Sequence, residues 1–173
     1  MNTHLREARP DDVSSISDLV QAGFVLHVAP DWERPAREGF MRDTTAEKLA
    51  EPIATATFAA VYQDEGRILG VISLPRPNLV QLFFVAPTHL RRGIGRTLWE
   101  AARAHIEEKH PEVKTIELNS SLYAVSTYKA LGFYPICSCC TSCNVAAQRS
   151  AAYDTPPKSN VRPDGDADVS PRE

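Results

Sequence analysis

Residues 82–96, Leu-Phe-Phe-Val-Ala-Pro-Thr-His-Leu-Arg-Arg-Gly-Ile-Gly-Arg, constrain this chain more than any other stretch. Four apolar residues read as a strand that Pro87 ends, and apolar side chains at helical spacing begin just past Gly95. A strand, a short loop with two glycines and a helix mouth in succession turn backbone N–H groups toward one point. The helix adds a partial positive charge there. Gly93 and Gly95 remove side chains that would keep a ligand off the backbone, and Arg91, Arg92 and Arg96 bring three cations. A diphosphate is the expected ligand. The third glycine of a dinucleotide fingerprint and the Gly-Lys-Ser/Thr of a P-loop are both missing. By itself the segment therefore also reads as an ordinary loop-to-helix turn with solvated arginines.

The surrounding pattern predicts an α+β domain. Residues 5–8 form a short strand ending before Pro10, and Val13, Ile16, Leu19 and Val20 make an amphipathic helix to about Gly23. Residues 24–39 read as loop, with Pro30 and Pro35 as breakers, and Thr44 or Thr45 caps a second helix through Ala50. Residues 57–62 and 67–74 flank the turn at Asp64, Glu65 and Gly66 as a hairpin, and residues 79–85 give a third strand. A helix over 95–109 buries Leu98, Ala101, Ala102 and Ile106. A strand over 114–119, a helix over 123–131 stopped by Gly132 and a strand from Phe133 follow. The order is β-α-α-β-β-β-α-β-α-β, a mixed, mostly antiparallel central sheet with helices on both faces. Its strand–helix–strand crossover sets two strands parallel.

A second motif stands some 25 residues past the glycine loop: Leu118, Asn119, Ser120, Ser121, then Tyr123-Ala-Val-x-x-Tyr128-x-x-Leu131-Gly-Phe133. The two motifs in this order resemble the GNAT superfamily of acetyl-CoA-dependent N-acetyltransferases, especially bacterial members, over roughly residues 3–136. The resemblance implies that Phe83, Phe84 and Val85 pair their backbone with the pantetheine arm of acetyl-CoA, and that the backbone near Phe84 and Val85 polarises the thioester carbonyl. It implies that Arg91, Arg92, Gly93, Ile94, Gly95 and Arg96 hold the pyrophosphate, largely through amides. Asn119 and Ser121 contact the cofactor, Ser121 standing where many members have asparagine. Tyr128 is the general acid toward the leaving thiolate, and Tyr123 is a packing residue. Leu90 stands where the family's loop often opens with Gln or Arg. The strand position where some members carry a glutamate base falls on Ile116, with Glu117 on the opposite face. His27, Asp31 and Glu33 are candidates for an acceptor site or for solvated loop.

A domain over 3–143 with atypical C-terminal strands and a disordered tail over 150–173 complete the organisation, the tail being rich in proline, small residues and mixed charge. The net charge of -3 and pI near 6.0 offer no field for nucleic acid. No apolar run reaches the roughly 20 residues of a membrane span, and the N-terminus lacks a secretory pattern, so the cytoplasm is the expected address. The four cysteines, all within 137–143, lack the two separated pairs of a zinc finger, and no metal site is expected. Three functions stay open: acetyl transfer from acetyl-CoA to a primary amine of a small molecule, protein or peptide; a CoA-binding domain without turnover; and a metal-binding or redox protein built on the cysteines. The oligomeric state is open, a homodimer included.

Overall fold

The computed structural model describes residues 4–136 and 142–148. Strand β1 (His4–Glu7) leads through a tight turn into helix α1 (Val13–His27), followed by α2 (Arg34–Asp43) and α3 (Ala46–Ala54). Strands β2 (Phe58–Asp64), β3 (Arg67–Leu74), β4 (Leu79–Val80) and β5 (Leu82–Val85) precede helix α4 (Ile94–Lys109). Strand β6 (Thr115–Ser121), helix α5 (Val125–Ala130) and strands β7 (Tyr134–Pro135) and β8 (Ser142–Gln148) are the last elements of the described residues.

The strands form two four-stranded sheets, β1-β2-β3-β5 and β4-β6-β8-β7. All neighbours run antiparallel except β4 and β6, the parallel pair that the crossover through α4 demands. The stretch over 79–85 is therefore two strands, not the one expected. At Gln81, whose amide donates to Ser73 O at 2.9 Å, the chain leaves β6 and takes β3 as its partner. The sheets part there. The edge of β5 away from β3 has no strand partner among the described residues.

Alternation along β2 and β3 sends side chains to both faces of the first sheet. Val61 and Val71 meet Ile16 and Val20 of α1 and Leu49 and Ile53 of α3, whereas Ala60, Ile72 and Leu74 join the core of α4. Helix α4 buries Leu98, Trp99, Ala102 and Ile106. Trp99 thus takes the place expected for Ala101, and its Nε1–H donates to Leu131 O at 3.2 Å, tying α4 to the end of α5. A Cβ at Gly70 would stand 2.8 Å from both Ile94 Cγ2 and Leu98 Cδ1, so glycine there lets the first turn of α4 lie against β3.

Two other expectations are corrected. Residues 24–39 are not loop: α1 runs on to His27, and α2 starts at Arg34 with Pro35 in its first turn, where a missing N–H costs the helix nothing. Strand β8 pairs with β6 over seven positions, from Thr115↔Gln148 to Ser121↔Ser142, passing the boundary set at 143. The proposed tail over 150–173, and Cys137, Cys139 and Cys140, lie outside the described residues. Among the described residues no helix is long and apolar enough to cross a membrane.

Candidate active site

The loop ahead of α4 is curled by two left-handed residues, Arg91 (φ 59°) and Gly93 (φ 83°), the second being the residue before the helix. The first backbone bond of the helix is Thr97 N–H to Gly93 O at 3.0 Å. Helix geometry leaves the amides of Gly93, Ile94, Gly95 and Arg96 without an intrahelical acceptor. None of them donates to a backbone carbonyl elsewhere among the described residues. The space above Gly93 is open, with no heavy atom within 4 Å of where a Cβ would stand. Arg91, Arg92 and Arg96 are exposed around this mouth. The side chain of Ile94 is buried in the core, so this residue offers the site only its amide and serves to anchor the helix mouth.

Between the parted sheets lies a cavity of about 490 Å³. Phe83, Phe84 and Val85 form one wall along the bare edge of β5, and Gly95 stands at its junction with the loop. Asn119, Ser120 and Ser121 of β6 and Thr127, Tyr128 and Leu131 line the facing wall. Seven residues expected from the sequence thus share one cavity: Phe83, Phe84, Val85, Gly95, Asn119, Ser121 and Tyr128. Arg91, Arg92, Gly93, Ile94 and Arg96 are not part of its lining and flank it through the loop that Gly95 continues.

Tyr128 is held between Phe83 and Phe133, with ring centroids 5.7 and 5.6 Å away. Burial pushes its phenol pKa above the usual value. A raised phenol pKa keeps the proton on oxygen across the physiological range, so the hydroxyl is available as a donor, though as a weaker acid than a solvated tyrosine.

The remaining wall belongs to α1 and α2: Gly23, Phe24, His27, Val28, Trp32 and Phe40. Most of these lie in the stretch expected as loop. Phe40 stacks on Phe24 at 3.9 Å, and Trp32 meets Phe24 edge-on at 5.4 Å. Hydrogen bonds from Ser17 Oγ to Thr44 O (2.7 Å) and from Gln21 Nε2 to Met41 O (3.1 Å) fasten the end of α2 to α1. Of the three acceptor-side candidates, His27 lines the cavity, while Asp31 and Glu33 are exposed and outside its lining. His27 Nε2 is shielded from solvent and has no hydrogen-bond partner among the described residues. Its ring stacks on Tyr123 at 4.5 Å and 8°, so Tyr123, expected to pack, is a half-exposed wall of the cavity instead. Ile116 is buried and Glu117 is exposed outside the lining, so β6 places no carboxylate in the cavity wall.

A family model described as an acetyltransferase (GNAT) domain matches residues 21–146. The curated peptidyl-lysine N-acetyltransferase YiaC of Escherichia coli (strain K12) is 30% identical over 74 residues, which is 43% of this chain and 48% of that protein. The match therefore spans about half of that relative. Among solved structures, the PaiA N-acetyltransferase of Thermoplasma acidophilum in complex with coenzyme A superposes with a TM-score of 0.74 at 16% identity, covering 86% of this chain and 99% of the other. An aminoglycoside 6'-N-acetyltransferase complexed with coenzyme A gives 0.64 at 13% identity, over 87% and 99%. The ribosomal-protein-S18-alanine N-acetyltransferase of Escherichia coli gives 0.62 at 16%, over 88% and 97%. At these identities the likenesses show a common fold.

Proposed function

Because the chain belongs to the GNAT acetyltransferase family, we propose that it transfers an acetyl group from acetyl-CoA to a primary amine, on a small molecule or on a protein or peptide. The single observation that carries this reading is the set of unbonded amides at Gly93, Ile94, Gly95 and Arg96, open to solvent above Gly93. A diphosphate supplies the acceptors that those donors lack, and Arg91, Arg92 and Arg96 neutralise its charge. The bare edge of β5 at Phe83, Phe84 and Val85 gives the amides of a pantetheine arm a strand to pair with, and Asn119 and Ser121 face it from β6.

When bound, acetyl-CoA supplies a thioester carbonyl open to an amine, with a thiolate as leaving group. The chain's own residues orient that group and handle two protons. Tyr128, kept protonated by burial, holds the proton destined for sulfur. His27, whose Nε2 is unpartnered and shielded beside the same cavity, takes the proton that the amine gives up. A thiol with a pKa near 8.5 is a good leaving group, so the phenol's help is moderate. Tyr128→Phe should lower kcat for amine-dependent thiol release about tenfold, below the common range for general acids, with KM for acetyl-CoA unchanged. His27→Gln should lower kcat on the amine side, again without loss of cofactor affinity. Steady-state kinetics on both variants check this. Full turnover in both, or a loss confined to acetyl-CoA binding, refutes the proton roles. Acetyl-CoA binding with no thiol release toward any amine in the wild type would favour a cofactor-holding domain without turnover.

A further inference from the structure

Beside α1 and α2 the cavity carries no fixed charge. Its wall there is aromatic, formed by Phe24, Trp32 and Phe40 with Phe84 beside them, and the polar side chains of the lining, among them Gln81, Asn119, Ser121, Thr127 and His27, bear no permanent charge. No Asp, Glu, Lys or Arg lines it among the described residues. The strand that completes the second sheet cannot change this balance with acid, because the sequence from Leu118 to Tyr153 contains no Asp or Glu at all. Asp31 and Glu33 flank Trp32 in the chain but are exposed outside the wall. Resting on the transferase reading above, we infer that this site takes an amine carried on an aromatic or otherwise apolar body, a monoamine of the arylalkyl class rather than a polyamine or a cationic peptide.

The physical argument is one of desolvation. An ammonium entering the cavity meets ring faces that attract one cation; it sheds one proton to solvent before the neutral amine attacks, and His27 takes the proton released on attack. A second ammonium or a guanidinium on the same molecule would be stripped of water with no carboxylate to answer it. An aryl body instead can lie flat on one of Trp32 and Phe40 and meet the other edge-on, since both half-buried rings line the cavity at 85° to each other.

The test uses the full chain with saturating acetyl-CoA and thiol release as readout. 2-Phenylethylamine and tryptamine are compared with spermidine and a lysine-rich peptide, and acetyl-CoA binding is measured separately by calorimetry. The inference expects kcat/KM at least tenfold higher for the aryl amines. Trp32→Glu, whose side chain is at the partly exposed rim, should narrow or reverse that preference by weakening the aryl amines and admitting spermidine. Spermidine or the peptide outrunning both aryl amines in the wild type overturns the inference. So does normal acetyl-CoA binding with the aryl amines inert, which leaves the cofactor site standing. Absence of acetyl-CoA binding sinks the transferase reading itself.

Discussion

Replacing Gly93 with glutamate should raise the Kd for acetyl-CoA at least about a hundredfold, a loss of roughly 2.8 kcal/mol. Two effects combine. The residue holds a left-handed φ of 83°, which a side chain adopts at a cost of about 1–2 kcal/mol. The new carboxylate would also reach the unbonded amides at the mouth of α4 and occupy the place of the diphosphate while repelling it. Gly93→Ala separates the two, since it carries the strain without the charge and should lose far less affinity. Calorimetric titration of both variants, with circular dichroism to confirm the fold, is the check. Equal affinity in the wild type and the glutamate variant would place the diphosphate elsewhere.

Asp12→Ala should lower the unfolding free energy by about 2 kcal/mol, less than the roughly 3–5 kcal/mol of a fully buried ion pair, because 18% of the Arg6 side chain stays in solvent. Arg6 Nη1 and Nη2 meet Asp12 Oδ2 and Oδ1 at 2.6 and 2.7 Å, and the Arg9 amide donates to the same carboxylate at 2.7 Å. Arg6 Nε also donates to Gln63 Oε1 at 2.8 Å, so the pair joins β1 and β2 to the start of α1. Without Asp12 the guanidinium stays partly buried and loses its counter-charge. The hydrogen bond from Arg6 above all, then the Arg9 amide, holds the Asp12 carboxyl below the usual carboxylate range. A folded pKa beneath the unfolded one contributes stability in full above about pH 4 and loses it as pH falls through the lowered value. Denaturant melts of the wild type should therefore weaken on acidification below that point more than those of the variant. Parallel pH profiles for the two would contradict the assignment.

What the sequence made legible was local. The glycine loop and the Tyr123-to-Phe133 motif each carry their spacing within a few residues, and the structure brings Phe83, Phe84, Val85, Gly95, Asn119, Ser121 and Tyr128 to one cavity. Helix α2 was hidden because Arg34-Pro-Ala-Arg-Glu-Gly-Phe-Met-Arg-Asp is polar overall, carries Pro35 where a breaker is read, and buries no whole residue. Its place is set by Phe40 on Phe24 and by hydrogen bonds from α1, which are tertiary facts. His27 shared that fate: with no breaker before Pro30, α1 continued one more turn and carried the imidazole to the cavity. The division of residues 79–85 shows in the sequence only as one polar residue, Gln81, in an apolar run, which an unbroken strand also carries; both halves stay extended and only the partner changes. Strand β8, Ser-Cys-Asn-Val-Ala-Ala-Gln, holds a single strong strand former, Val145; a seven-position backbone ladder to β6 places it.

The account turns on donors at one helix mouth, and their amide protons can be watched directly. In nitrogen–proton correlation spectra, saturating coenzyme A should move the resonances of Gly93, Ile94, Gly95 and Arg96 downfield as each amide gains a phosphate acceptor, while pantetheine, which lacks the diphosphate, should leave them in place. Saturable coenzyme A binding with those four resonances unmoved would contradict it.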